Sequence, residues 1–237
     1  MASQSFAFKQ FKINQDKCAM KVGTDAVLLG AWVNTANAKN ILDIGTGTGI
    51  IALMLAQKSG AKIDAIDIDE NACIQATENV NNCLWKDRVH IHHVSLQKFA
   101  QTNDRKYDLI VSNPPYFVDS SKASEEARTN ARHTDQLPYN DLLNGVLKLL
   151  SPTGKFYVIL PTKESELFKE LANENKLFLT KLTRVVTRYD KPEKRWLMRF
   201  EFTPRSFSEN SITIEKDERH SYTDEYKELT KDYYLAF

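Results

Sequence analysis

Three glycines, Gly45, Gly47 and Gly49, fall within five residues, between the apolar run Ile41-Leu42-Asp43-Ile44 and a second apolar segment that begins at Ile50. The chain holds only 8 glycines in all, so this cluster marks a place where backbone is needed without side chains. A short buried strand, a tight turn and a helix from Ile50 to Ser59 stopped by Gly60 make one β-turn-α unit. The alternation continues. Strands are predicted at Lys62 to Asp67, Val89 to Val94, Tyr107 to Ser112, Phe156 to Leu160, Leu177 to Val186 and Trp196 to Phe202. Helices are predicted at Glu70 to Asn82, near Tyr139 to Leu150 and after Thr162, with Thr24 and Asp25 opening an earlier one and Ser151-Pro152-Thr153-Gly154 as a turn. Such a pattern predicts an α/β fold, a mostly parallel seven-stranded sheet with helices on both faces.

Within 237 residues there is no internal repeat and no Gly/Ser linker, so a single domain is expected. Residues 1–39 read as an N-terminal extension facing the site, 40–203 as the core and 204–237 as a C-terminal tail. No apolar run approaches the roughly 18 residues of a membrane span. Cys18, Cys73 and Cys83 cannot all pair within the chain, and no secretory pattern precedes them, so a cytoplasmic protein without disulfides is expected. They also lack metal-ligand spacing, and alternation sends His90 and His92 to one face of their strand and His93 to the other, so no metal is expected.

A glycine turn opening a helix presents free N–H groups and a positive dipole to a ligand. A P-loop would follow Gly49 with Lys and Ser or Thr, and here Ile50 follows. A dinucleotide fingerprint counted from Gly45 would need glycine at position 50. Asp43, two residues before the turn, would repel a pyrophosphate but suits a ligand with a cationic amine. S-adenosylmethionine is such a ligand, zwitterionic at one end and free of phosphate. Asp67, eighteen residues beyond Gly49, ends the second strand where an acid accepts hydrogen bonds from both ribose hydroxyls. Asp69 reads as the cap of the following helix.

The segment Leu42-Asp43-Ile44-Gly45-Thr46-Gly47-Thr48-Gly49 resembles the first motif of the Rossmann-like methyltransferases. The fourth strand runs into Asn113-Pro114-Pro115-Tyr116, similar to the N-P-P-Y motif of amino methyltransferases. In that motif the Asn113 side-chain oxygen and the Pro114 carbonyl accept the two hydrogens of a planar exocyclic amine, Pro115 stiffens the turn and Tyr116 stacks on the base. N-P-P-Y alone leaves adenine N6, guanine N2, cytosine N4 and glutamine N5 open as acceptors.

Both ends of the chain are more specific. Phe8-Lys9-Gln10-Phe11, Cys18 to Asp25 and Leu28 to Trp32, with Ala131-Arg132-His133 and the terminal Ser221 to Phe237 segment, resemble the bacterial tRNA1(Val) adenine-37-N6 methyltransferases over essentially the whole length. That likeness implies S-adenosylmethionine as cofactor, the anticodon loop of tRNA1(Val) as partner, and a monomer. It assigns Asp43, Gly45, Gly47, Gly49 and Asp67 to the cofactor, with Thr24 helping to close its pocket. Where the family pattern places an acid against the cofactor's adenine amine, this chain has Ser95.

A release-factor glutamine methyltransferase shares N-P-P-Y but normally carries an extra N-terminal helical domain, for which residues 1–39 are too few. A silent methyltransferase-like RNA-binding scaffold is at odds with intact Asp43, Asp67, Asn113 and Tyr116. The net charge is only +1, with 32 Lys and Arg against 31 Asp and Glu. It is segregated along the chain. Residues 181–199 hold seven basic side chains against Asp190 and Glu193, whereas 209–228 hold seven acids against three bases. The basic stretch is the expected tRNA-facing surface, with Arg188, Lys194 and Arg195 in it and Lys21, Arg128, Arg132 and His133 lining the approach.

Overall fold

The computed structural model describes residues 4–18, 20–115 and 137–237. Strand β3 (Asn40–Ile44) is apolar apart from Asn40 and Asp43 and is buried on both faces from Ile41 to Ile44, as a central parallel strand requires. It pairs in parallel with β4 (Lys62–Asp67) on one side and with β6 (Tyr107–Ser112) on the other. Strand β5 (Val89–His93) continues the sheet beyond β4, and β7 (Leu150–Pro161) continues it beyond β6. Strand β9 (Glu193–Glu201) runs antiparallel to β7 and to β8 (Phe178–Arg188).

An eighth strand, β10 (Ser208–Glu215), lies parallel to β8 at the sheet's edge, so the order is β10-β8-β9-β7-β6-β3-β4-β5. The sequence predicts seven strands and a tail from residue 204. Ser208-Glu209-Asn210-Ser211 carries no apolar side chain and is exposed, and only Ile212 is buried, so the strand has almost no hydrophobic signature. The expected turn at 151–154 is an irregularity inside β7: between neighbouring pairs β6 advances from Tyr107 to Leu109 while β7 advances from Leu150 to Lys155.

Alternation along the strands fills two cores. On one face Ile41, Ile63, Leu109 and Tyr157 pack with α1 (Thr24–Trp32), α2 (Ile50–Lys58), α3 (Glu70–Asn81) and α7 (Asp224–Thr230). On the other, Leu42, Ile66, Ile110 and Phe156 pack with α4 (Leu96–Thr102), α5 (Tyr139–Leu149) and α6 (Thr162–Glu174). Helix α2 buries seven consecutive residues from Ile50 to Ala56 because it is sandwiched between the sheet and α1. Lys58 at its end donates to the Gly30 and Ala31 carbonyls at 2.7 and 3.0 Å, closing the last turn of α1.

Before α1, β1 (Ser5–Ala7) and β2 (Lys12–Asn14) form a separate antiparallel hairpin. It is tied to the other end of the chain: Lys9 N–H donates to the Tyr233 carbonyl at 2.8 Å, and its ammonium donates to the carbonyls of Lys231 and Phe237. Phe6 and Phe8 sit against Tyr234 with ring centres 6.0 Å away.

Candidate active site

The glycine turn needs its glycines for backbone reasons. Gly45, Gly47 and Gly49 have φ of +72°, +55° and +81°, a region that side chains rarely enter. Gly45 and Thr46 donate to the Ile66 carbonyl at 2.9 and 3.0 Å, pinning the turn to the end of β4. A Cβ on Gly45 or Gly47 would meet no protein atom within 4 Å, so that side of the turn is open space. A Cβ on Gly49, the N-cap of α2, would lie 3.3 Å from Ala76 Cβ, where α3 closes on the turn. Buried Asn79 of α3 fixes the same loop, donating to the carbonyls of Thr48 and Asn14 and accepting from the Asn14 N–H. Asn79 carries no motif signal in the sequence.

Two acids bracket the turn. Asp67 Oδ2 accepts the Gly47 N–H at 2.8 Å and Oδ1 accepts the Asp69 N–H at 3.0 Å, leaving lone pairs on both oxygens. Asp43 is fully buried; its Oδ2 accepts the Thr46 hydroxyl at 2.7 Å, and its Oδ1 has no hydrogen-bond partner. Burial raises its carboxyl to about 7, against the opposing hydrogen bond from Thr46. An orphaned buried carboxylate oxygen fits a cationic amine better than a phosphate.

Register brings the second motif alongside. Ser112 pairs with Ile44, and Ile44 pairs with Ile66. The next residue on each strand is Asn113, Gly45 and Asp67, so the three stand abreast at the carboxyl edge of β6, β3 and β4, about 5 Å per strand step. Ser112 locks this row by donating its hydroxyl to the Ile44 carbonyl at 2.9 Å. Half-buried Asn113 is followed by Pro114 and Pro115, neither of which has an N–H to consume a neighbouring acceptor. Tyr116, Arg128, Arg132 and His133 lie outside the described residues.

Other expected residues have defined positions. Asp69 caps α3, accepting from the N–H groups of Asn71 and Ala72 at 2.7 and 3.1 Å. Ser95 is the N-cap of α4, its hydroxyl accepting from Lys98 N–H at 3.3 Å. Thr24 is the exposed first residue of α1, whose cap is Gly23, and both line a cleft with the far edge of the sheet. The Lys21 ammonium donates to the Gln15 carbonyl.

The basic stretch is not a bare cationic face. Glu209 on β10, which lies beside β8, and Glu193 on β9 both hold Arg184, while Asp190 holds Arg188 and Asp25 of α1 holds Arg195 at 2.8 Å. His92 meets buried Asp64 at 2.9 Å and His93 meets the Ile68 carbonyl at 3.0 Å. Burial pushes the thiols of Cys73 and Cys83 up to about 11, which keeps them protonated and unreactive at neutral pH.

The pattern of the methyltransferase small domain family matches residues 18–165. The chain is 49% identical over 240 residues, covering 100% of both sequences, to the tRNA1(Val) (adenine(37)-N6)-methyltransferase of Trichodesmium erythraeum. It is 46% identical to the protein of the same description from Parabacteroides distasonis, covering 99% of each. Among solved structures, a predicted O-methyltransferase from Agrobacterium tumefaciens superposes with a TM-score of 0.71 at 14% identity, over 88% of this chain and 96% of that one. TrmK of M. capricolum, solved with S-adenosyl-homocysteine, superposes with a TM-score of 0.54 at 14% identity, over 80% and 71%. These two likenesses are of fold.

Proposed function

The chain belongs to the methyltransferase small domain family and, within it, to the tRNA1(Val) (adenine(37)-N6)-methyltransferases, and on that premise we propose how its residues methylate adenine N6 in the anticodon loop. The observation that carries the reading is the row formed by Asn113, Gly45 and Asp67 at the carboxyl edge of three adjacent strands. Ligands of open α/β sheets bind at that edge.

Asp67 receives the ribose hydroxyls on its remaining lone pairs, Asp43 faces the amino-acid end, and the open sides of Gly45 and Gly47 let the cofactor pass close to the backbone. When bound, S-adenosylmethionine supplies a methyl group activated by the positive charge on its sulfur. Ser95 sits on the adenine side, and Thr24 borders the approach.

Asn113 Oδ1 and the Pro114 carbonyl each accept one hydrogen of the adenine N6 amine. Held this way, the amine is drawn out of planar conjugation and its lone pair is oriented towards the methyl group that the bound cofactor would supply. The same two oxygens would stabilise the positive charge developing on nitrogen until one hydrogen is released as a proton to water. No strong base is needed, and orientation supplies much of the rate. Tyr116, assigned by its motif, stacks on the base for about 1–3 kcal/mol, and Pro115 fixes its approach. An anticodon-loop adenine is already unpaired, so most of the cost of extracting it from a duplex is avoided. Lys21, Arg128, Arg132, His133, Arg188, Lys194 and Arg195 are assigned to the RNA backbone. The enzyme acts on tRNA in the cytoplasm, and no helix among the described residues is long and apolar enough to cross a membrane.

The test is transfer of labelled methyl from S-adenosylmethionine to bulk tRNA from a strain lacking the modification, followed by nucleoside analysis. N6-methyladenosine confined to valine tRNA is expected. Label on a release-factor glutamine, or none on RNA, would overturn the reading.

A further inference from the structure

The cleft on the β10 side of the sheet is bordered by Thr24 but holds none of Asn113, Pro114 and Pro115. It measures about 670 Å³, within the roughly 300–1,000 Å³ range of small-ligand sites. Its walls are the start of α1, the carboxyl ends of β8 and β10, the start of β9 and the C-terminal segment. Its floor is aromatic: Phe237 meets Tyr222 and Tyr234 edge-on at 5.2 and 5.5 Å. Leu235, 65% exposed, stands at its rim.

The charge of the lining is asymmetric. Its acids are engaged, Asp25 with Arg195 at 2.8 Å and Glu215 with the His220 N–H at 2.9 Å. Lys194 and Arg219 also line the cleft and enter no ion pair among the described residues. Aromatic surface beside uncommitted cations is the chemistry that receives an unpaired nucleotide, base on ring and phosphate on cation.

The cleft opens on the same edge of the sheet as Asn113. Val185 pairs with Arg195, Arg195 with Pro161 at the end of β7, and β7 with β6. Two to four strand steps therefore separate it from the transfer site, on the order of 10–20 Å. A duplex cannot enter such a concavity, whereas a loop with one base at Asn113 reaches it with nearby unpaired nucleotides.

We infer that this cleft is a second nucleotide site for the RNA substrate, in which an unpaired base of the same loop rests on the Tyr222, Tyr234 and Phe237 surface and its phosphate meets Lys194 and Arg219. It rests on the RNA reading above and goes beyond it by assigning a recognition site to the C-terminal segment.

The experiment compares wild type, Arg219→Glu, Leu235→Glu and the distant control Lys62→Glu, which lies at the amino end of β4. Each is assayed with a transcript of the anticodon stem-loop of tRNA1(Val) for kcat, KM and the salt dependence of RNA binding, and with S-adenosylmethionine alone for cofactor Kd. The two cleft variants are at exposed positions, and their folding is checked by the unchanged cofactor Kd. They are expected to raise KM for the transcript about 5- to 20-fold with kcat within about twofold. Arg219→Glu should also reduce the salt slope by about 1, while Lys62→Glu changes neither. An unchanged KM in both cleft variants, or an equal rise in the control, overturns the cleft assignment alone. A wild type that methylates no RNA overturns it together with the reading beneath it.

Discussion

Gly47 donates its backbone N–H to Asp67 Oδ2 at 2.8 Å, so the turn after β3 and the acid that ends β4 form one hydrogen-bonded unit. Asp67 thereby shapes the cradle, and in the proposed function its remaining lone pairs receive the ribose. Asp67→Ala removes both functions. Hydrogen bonds to charged acceptors contribute about 1.5–3 kcal/mol, so the Kd for S-adenosylmethionine should rise about tenfold or more by calorimetry. A Kd within twofold of wild type would remove Asp67 from the cofactor site.

Asp43 makes the cofactor-free protein sensitive to pH. Its folded carboxyl titrates near 7 because of burial, whereas an unfolded aspartate titrates near 4. Between those values the folded state holds a proton that the unfolded state has released. Stability is therefore fully present below about pH 4, falls as pH rises towards 7 and levels off above it, a loss of a few kcal/mol at most. Asp43→Asn abolishes this titration. Urea unfolding without cofactor should show the variant's advantage over wild type largest at pH 8, smaller at pH 5 and absent below about pH 4. Saturating S-adenosylmethionine should flatten the wild-type profile, since a cationic amine favours the ionised carboxylate. A flat profile without cofactor would contradict a buried, protonated Asp43.

The elements of the candidate site were legible in the sequence because they are residues with few alternative uses: glycines at positive φ, an acid closing a strand, and two prolines after another. The edge of the sheet was not. Ser208 to Ser211 face solvent on β10, and strand formation there depends on hydrogen bonds to β8, which leave no hydrophobic mark. Helix α4 spans only seven residues and is held by Leu96, Phe99 and Ala100 against a core assembled from distant elements. The ion pairs within the basic stretch were hidden for a related reason. Bases at 181–199 and acids at 209–215 are separated in the chain, but register sets Ser211 beside Arg184, and Glu209 reaches that guanidinium. Local composition carries no information about which strands become neighbours.

Gly47 and Gly49 should respond differently to alanine. Each substitution forces a side chain into the left-handed region, at about 1–2 kcal/mol. Gly49→Ala adds a contact of 3.3 Å with Ala76 on α3, so its main effect should be a lower midpoint in thermal unfolding. Gly47→Ala meets no protein atom, and its methyl projects into the space assigned to the cofactor. Its Kd for S-adenosylmethionine should rise far more than its loss of stability accounts for. Equal ratios of affinity loss to stability loss in the two variants would mean that the open side of Gly47 does not face the ligand.

Asn113 separates transfer from binding. It stands in one row with Gly45 and Asp67, yet its proposed role is towards the substrate amine and not the cofactor, so the cofactor should bind normally without it. Asn113→Ala removes an oriented acceptor that acts most strongly as charge develops on nitrogen. By analogy with loss of a single oriented polar group from other transfer sites, kcat should fall about 10²- to 10³-fold. Cofactor Kd should stay within about twofold, and KM for the RNA should change little. Asn113→Asp keeps an oxygen acceptor at the same reach and should retain more activity than alanine, which a purely structural role for the residue would not produce. Single-turnover methylation of the anticodon stem-loop, with cofactor binding measured on the same preparations, distinguishes these cases. Parallel loss of cofactor affinity and transfer in Asn113→Ala would place the residue in the cofactor site and leave the amine without its assigned acceptor.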